Sequence, residues 1–387
     1  MGELVGRLVQ GGRAVRLTYE DGVIADLCAA DEAEAEEAEA WIAPGLVDLQ
    51  VNGASGIDLN DDDLTPGRVC SLAEHHWRAG VTAWCPTLVS ASEEAMAHRL
   101  AAIAGARRMD PRVAAALPLV HLEGPYLSPE DGARGAHAVA HLRPPDLDEI
   151  ARLQVAAEGA IGMVTVAPEL PGALELIRSL TLQGLIVAIG HTSCTAQDVT
   201  RAVDAGARLS VHLGNGAPAV LARHPNHLWE QLADDRLAAS FIADGHHLPA
   251  ATLTAMLRAK GVERSILVSD STAFTGMPPG EYEAHIGGRV ALTGDRRLSM
   301  AGTPYLAGSA VGLVDCVAGA VRHGGVSLGQ AVQMASANPN GLLGRAGGAV
   351  RVGAPADVTV LAYDADRTRL EVVRVLLAGC VVGGGEG

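Results

Sequence analysis

Glu123, His191 and His212 are residue types that grip a divalent cation, and each closes a short apolar run. The runs are ALPLVHLEG (116–124), LIVAIGHTS (185–193) and ARLSVHLGN (207–215), which read as buried strands. One carboxylate and two imidazoles form a donor set that leaves a coordination position open for water. A fourth run, RSILVSDST (264–272), carries Asp270 at the matching end. In a parallel barrel such ends meet on one face, where active sites are built. The chemistry suggested is metal-dependent hydrolysis. A bound ion lowers the pKa of water from about 15.7 towards roughly 7, and a carboxylate beside it takes the proton. Zinc suits N and O donors with an open position, and iron, cobalt or manganese also fit. Each residue has a plainer reading as well. A lone strand-end histidine is more often a satisfied polar residue than a ligand, and Asp270 could cap the following helix.

The elements that must position these residues recur eight times. Strand-like runs occupy 46–53, 81–87, 116–124, 161–169, 185–193, 207–215, 237–245 and 264–272, with helix-like segments between them. SLAEHHWRAG (71–80) ends on a glycine before its strand, as a helix C-terminus does. TAQDVTRAVDAG (195–206) opens on a threonine and repeats apolar residues every three or four positions. This alternation predicts an α/β fold with a parallel sheet, closed as a (β/α)8 TIM-like barrel over residues 44–347. A doubly wound open sheet is the competing arrangement. Residues 1–43 and 348–387 are β-rich, and each is too short for a core of its own. Together they are expected to form one small β-domain beside the barrel. The acidic run DEAEAEEAEA (31–40) reads as a solvated loop.

Composition narrows the function classes. The chain has 387 residues, 48% of them hydrophobic, enough for a large core and a smaller unit. Its net charge of −16 argues against a general binder of nucleic acid or anionic membranes. No apolar stretch approaches the roughly 20 residues needed to cross a bilayer. The six cysteines are scattered without a close pair, so a reduced, cytoplasmic chain is expected.

The first strand is informative through what it lacks. Many barrel hydrolases of the amidohydrolase superfamily carry His-x-His there and a bridging carboxylated lysine later. Here the corresponding residues are Gln50-Val51-Asn52, and the sole lysine, Lys260, precedes the last strand. One metal per subunit is expected, not two.

With these features in view, the chain resembles the N-acetylglucosamine-6-phosphate deacetylase family of that superfamily. The matching stretches include APGLVDLQVNG (43–53), LVHLEGPYLSP (119–129), VTVAPE (164–169), GHTSCT (190–195), VHLGNGAP (211–218), IADGHHLP (242–249), LVSDSTAFTG (267–276) and LAGSAVGL (306–313). The resemblance implies that Glu123, His191 and His212 hold the metal and that Asp270 is the catalytic acid and base. It implies that His137, in GARGAH, lies near the sugar and acyl group, where metal and imidazole together polarise the acyl oxygen. Asn215 with Gly216, Arg223 and His247 match phosphate-binding positions, the last two supplied in some members by the neighbouring subunit of a homodimer. Leu306, Ala307 and Gly308 match a loop lining the acyl and sugar pocket. The implied reaction removes the acetyl group of N-acetylglucosamine 6-phosphate in amino-sugar catabolism or cell-wall recycling. The chain also departs from the family. Gly214 replaces a bulkier residue, Gly216 replaces alanine, and RHPNHLW (223–229) replaces the usual Arg-Glu-Pro-Gly. The catalytic positions are thus intact where the substrate wall has changed. A different N-acyl amino sugar, or one without phosphate, stays open as substrate, and so does a barrel that binds metal without catalysis.

Overall fold

The computed structural model describes residues 1–285, 287–303 and 305–384. Among them, eight strands hydrogen-bond in chain order: Leu46–Val51, Val81–Val89, Val120–Glu123, Ile161–Val166, Ile186–Ile189, Leu209–Ser210, Ala238–Ile242 and Ser265–Val268. Every neighbouring pair is parallel. A parallel bridge between Val51 and Ser271 joins the last strand's end to the first. The Ser271 carbonyl there accepts from the amides of Asn52 (2.8 Å) and Gly53 (3.1 Å). The sequential order and this closure make a barrel and exclude the open sheet.

The strands read as continuous apolar runs because both of their faces are buried. Val47, Leu49, Ala83, Cys85, Met163, Ala188, Leu209, Ile266 and Val268 form one apolar cluster. Neighbours of opposite parity, such as Trp84, Leu122, Val164, Val187 and Leu267, join the larger cluster that includes the helices. Each large aliphatic side chain fully buried this way contributes roughly 1.5–3 kcal/mol. The helices begin where the sequence signals them. Thr65 caps Pro66–Arg78 by accepting from the Arg68 amide. Thr195 and Asp198 form a capping box on Ala196–Asp204.

The two chain ends build a separate, mainly antiparallel sheet. Its order is Cys380–Gly384, Arg369–Leu377, Val358–Asp364, Trp41–Pro44, Gly2–Leu8, Ala14–Glu20 and Val23–Ala29. Trp41–Pro44 is the seam, pairing parallel with Gly2–Leu8 and antiparallel with Val358–Asp364.

Three features differ from the sequence reading. The acidic run is not a plain loop, because Glu32–Glu37 is a short helix whose N-cap Asp31 makes a capping box with Glu34. Glu34 also pairs with Arg16 of the neighbouring strand. Gly280–Ala284, Gly288–Leu292 and Leu298–Met300 form a three-stranded antiparallel insert after the eighth barrel strand, with a small apolar core around Phe274 and Val290. The observed strands are also shorter than the runs that signalled them, so His191 and His212 lie just past their strands. Lys260 is buried with its ammonium donating to the Gln231 and Asp234 carbonyls, 2.8 Å each, at the end of helix His227–Ala233. Among the described residues, no helix is long and apolar enough to cross a membrane.

Candidate metal and active site

Register brings the chemical residues to one level. Ile189 pairs with Ser210, and two residues beyond them stand His191 and His212. Ile242 pairs with Val268, and two residues beyond stand Asp244 and Asp270. Glu123 pairs with Thr165 at the end of the third strand. The chain turns abruptly at three of these positions, with φ of 47° at His191, 30° at His212 and 50° at Asp270. Non-glycine residues avoid this left-handed region, which costs of order 1–3 kcal/mol each, and they collect at functional sites.

The Glu123, His191 and His212 side chains are buried, and their ligating atoms lie within 4.8 Å of one another. Glu123 Oε1 is 2.8 Å from His212 Nε2 and 3.3 Å from His191 Nε2. Surrounding groups fix each donor. His191 Nδ1 lies 3.0 Å from the Ala133 carbonyl and donates to it, which turns Nε2 towards Glu123. Gln50 Nε2 donates to Glu123 Oε1 at 2.8 Å. Burial acts to raise the Glu123 carboxyl, but hydrogen bonding and charge from His191 and His212 outweigh it and hold the group well below its usual range. Burial likewise acts against the His212 imidazolium, and Glu123 overrides it to raise that group. His212 Nδ1 is buried with no partner among the described residues. An oxygen and two imidazole nitrogens converging in a buried site that favours positive charge fit one divalent ion.

Asp270 is buried beside this set. Its carboxyl is pushed up to about 6, first by desolvation and then by the Glu123 charge. Asn52 Nδ2 donates to Asp270 Oδ1 at 2.8 Å. His137 is also buried, and desolvation lowers its imidazole to about 3, which keeps the ring neutral. Its Nδ1 lies 2.9 Å from Ser90 Oγ. Ring centroids run 4.5 Å from His137 to His191 and 4.8 Å from His191 to His212, so three imidazoles stand in a row.

The other expected residues are arranged less tightly. Asn215 bonds back to the His212 carbonyl through its amide (2.9 Å) and its side chain (3.2 Å). Gly216, at φ 56°, presses on the His191 ring, and a Cβ there would lie 2.8 Å from Nδ1. His247 Nδ1 donates to Asp244 Oδ2 at 2.7 Å. Ala307 is buried and Leu306 and Gly308 are half-buried. A Cβ on Gly308 would lie 3.6 Å from the Asp270 carbonyl oxygen. Arg223 is exposed, and among the described residues its guanidinium has no partner. The structure thus gathers Glu123, His191, His212, Asp270 and His137, and leaves Arg223 on an open loop.

Two residues have more to do than the sequence suggested. Gln50 and Asn52 read only as missing ligands, yet they bond to Glu123 and Asp270. Their period-two spacing at a strand end was the available signal. His76 is buried with its ring 4.8 Å from Trp84.

Comparison with known proteins agrees with this geometry. The amidohydrolase family matches residues 41–382. An N-acetylgalactosamine-6-phosphate deacetylase of Escherichia coli O157:H7 is 34% identical over 349 residues, covering 89% of this chain and 90% of that one. The N-acetylglucosamine-6-phosphate deacetylase of Homo sapiens is 34% identical over 375 residues, covering 91% and 86%. The crystal structure of N-acetyl-D-glucosamine-6-phosphate deacetylase from Mycobacterium smegmatis superposes with a TM-score of 0.88 at 31% identity, covering 99% of this chain and 100% of that one. The chain therefore belongs to the amidohydrolase family, in the branch that holds the N-acetylhexosamine-6-phosphate deacetylases.

Proposed function

We propose that this protein hydrolyses the acetamide of N-acetylglucosamine 6-phosphate, releasing acetate and the amino-sugar phosphate. The observation that carries the reading is the convergence of Glu123, His191 and His212 beside buried Asp270. One ion per subunit, zinc by the donor set, would be held by those three residues and would supply Lewis acidity and a more acidic water. Asp270 takes a proton from the attacking water as its oxygen adds to the acyl carbon and passes that proton to the nitrogen as the C–N bond breaks, so that the sugar leaves as a neutral amine. With the Ser90 hydroxyl donating to His137 Nδ1, His137 Nε2 carries a hydrogen and donates to the acyl oxygen as charge builds on it. Asn52 holds the Asp270 carboxyl in place.

Gly216 with Asn215, Arg223 and His247 receive the phosphate, and Leu306, Ala307 and Gly308 line the acyl and sugar pocket. Arg223 offers a planar fork for a dianion. Its exposure, without a partner among the described residues, supports a homodimer in which this arginine serves the neighbouring subunit. Residues 44–347 form the catalytic unit, with 1–43 and 348–387 forming the small domain. Free thiols at all six cysteines support a cytoplasmic setting.

A second substrate, the galactosamine epimer, is favoured by the name of the Escherichia coli relative. Acetate release from both 6-phosphates and from the unphosphorylated sugars decides between them. No release from any N-acetylated amino sugar by metal-loaded protein would refute the reading.

A further inference from the structure

Glu169 closes the VTVAPE stretch and takes no part in the chemistry above, yet its carboxylate is taken up by the turn that carries His191. It follows the fourth barrel strand, Ile161–Val166. One oxygen accepts from the Thr192 hydroxyl. The other accepts from the Ser193 amide at 2.8 Å and the Ser193 hydroxyl at 3.1 Å. The rest of the turn is tied as well. The Ser128 amide donates to the His191 carbonyl at 2.9 Å, and the Thr192 amide donates to the Gly216 carbonyl at 3.1 Å. Ser193 Oγ lies 3.0 Å from Ser128 Oγ.

These bonds fall directly after a residue held in a costly backbone conformation, His191 at φ 47°. The three that end on the Glu169 carboxylate are charge-assisted, the strong class of hydrogen bond. The imidazole itself is confined by glycines on two loops. A Cβ on Gly135 would lie 3.0 Å from His191 Cε1, and one on Gly216 would lie 2.8 Å from Nδ1. With the ring walled in, the backbone turn sets where Nε2 points.

We propose that Glu169 is a positioning residue for the metal, locking the His191–Ser193 turn so that His191 Nε2 meets the atoms of Glu123 and His212. This rests on the reading that those three residues hold the ion. A group one step behind a ligand typically changes metal affinity by about 10- to 100-fold. A role in general stability would lower the melting temperature and leave affinity alone.

The test uses the full chain and measures cobalt and zinc dissociation constants by chelator competition, together with the visible absorption spectrum of the cobalt form. Glu169→Ala is expected to weaken binding about 10- to 100-fold and to shift the cobalt bands, with Glu169→Gln intermediate. Thr192→Val and Ser193→Ala remove two of the three bonds from the other side and leave the one from the Ser193 amide. Their losses should fail to add to that of Glu169→Ala, and they keep the test open if that variant does not fold. Wild-type affinity and an unchanged spectrum in Glu169→Ala or in both turn variants would overturn the assignment while leaving the metal site standing. If wild-type protein holds no ion, or His212→Ala holds it as well as wild type, the parent reading falls too.

Discussion

The two poles of the barrel mouth are built differently. At the donor pole, Glu123, His191, His212 and Asp270 are buried, and Gln50, Ala133 and Asn52 direct three of them through bonds of 2.8–3.0 Å. At the proposed anion pole, Arg223 stands exposed without a partner among the described residues. Among the described residues, His247 is tied to the Asp244 carboxylate through its amide and its Nδ1. Chemistry that depends on sub-ångström placement is prearranged within one chain, whereas attraction of a dianion tolerates a long, mobile side chain.

Variants at the two poles should therefore fail in different ways. The largest loss is expected for Glu123→Gln or His212→Ala. Both should remove the ion and lower acetate release by about 1,000-fold or more, read as metal content and kcat/KM. Asp270→Asn should keep the ion and still lower kcat by about 100- to 10,000-fold. His137→Ala should cost about 100- to 1,000-fold, also in kcat. Arg223→Ala should instead raise KM for the 6-phosphate by about 10- to 100-fold and leave the neutral sugar unaffected. An equal effect on both substrates would erase the proposed division between poles.

A pH titration sharpens the comparison with the smallest perturbation. The base role proposed for Asp270 requires its ionised form, so kcat/KM should fall as pH drops through its pKa. In metal-free protein that carboxyl titrates near 6, held up by burial and by Glu123. A divalent cation beside it favours the carboxylate, so the acid limb of the loaded enzyme should lie below the metal-free value. Carbon-13 NMR of the carboxyl with and without metal checks the direction. A limb that persists unchanged in Asp270→Asn would assign it to another group.

The barrel was legible because strands buried on both faces leave uninterrupted apolar runs, as in Ile186 to Ile189 and Ile266 to Val268. The 280–300 insert left no such trace. Its strands GEYEA and GRVAL are short, the first burying no residue and the second only Val290 and Leu292, so neither apolar continuity nor a full alternation marks them. The helix at Glu32–Glu37 was hidden by its charge, although Asp31 and Glu34 carry the spacing of a capping box. The donor trio and Asp270 were legible from residue type at strand ends. The bonds from Gln50 to Glu123 and from Asn52 to Asp270 were not, because they join the first strand to the third and eighth and exist only once the ring closes.

The seam at Trp41–Pro44 sets an order of events during synthesis. This strand leaves the ribosome before the barrel, but its antiparallel neighbour, Val358–Asp364, leaves only after it. Until then one edge of Trp41–Pro44 presents unpaired amides and carbonyls, the kind of edge that invites pairing with the wrong chain. Loss of Val358–Asp364 through a late stop codon would leave that edge permanently open, so aggregation would precede any defect in catalysis.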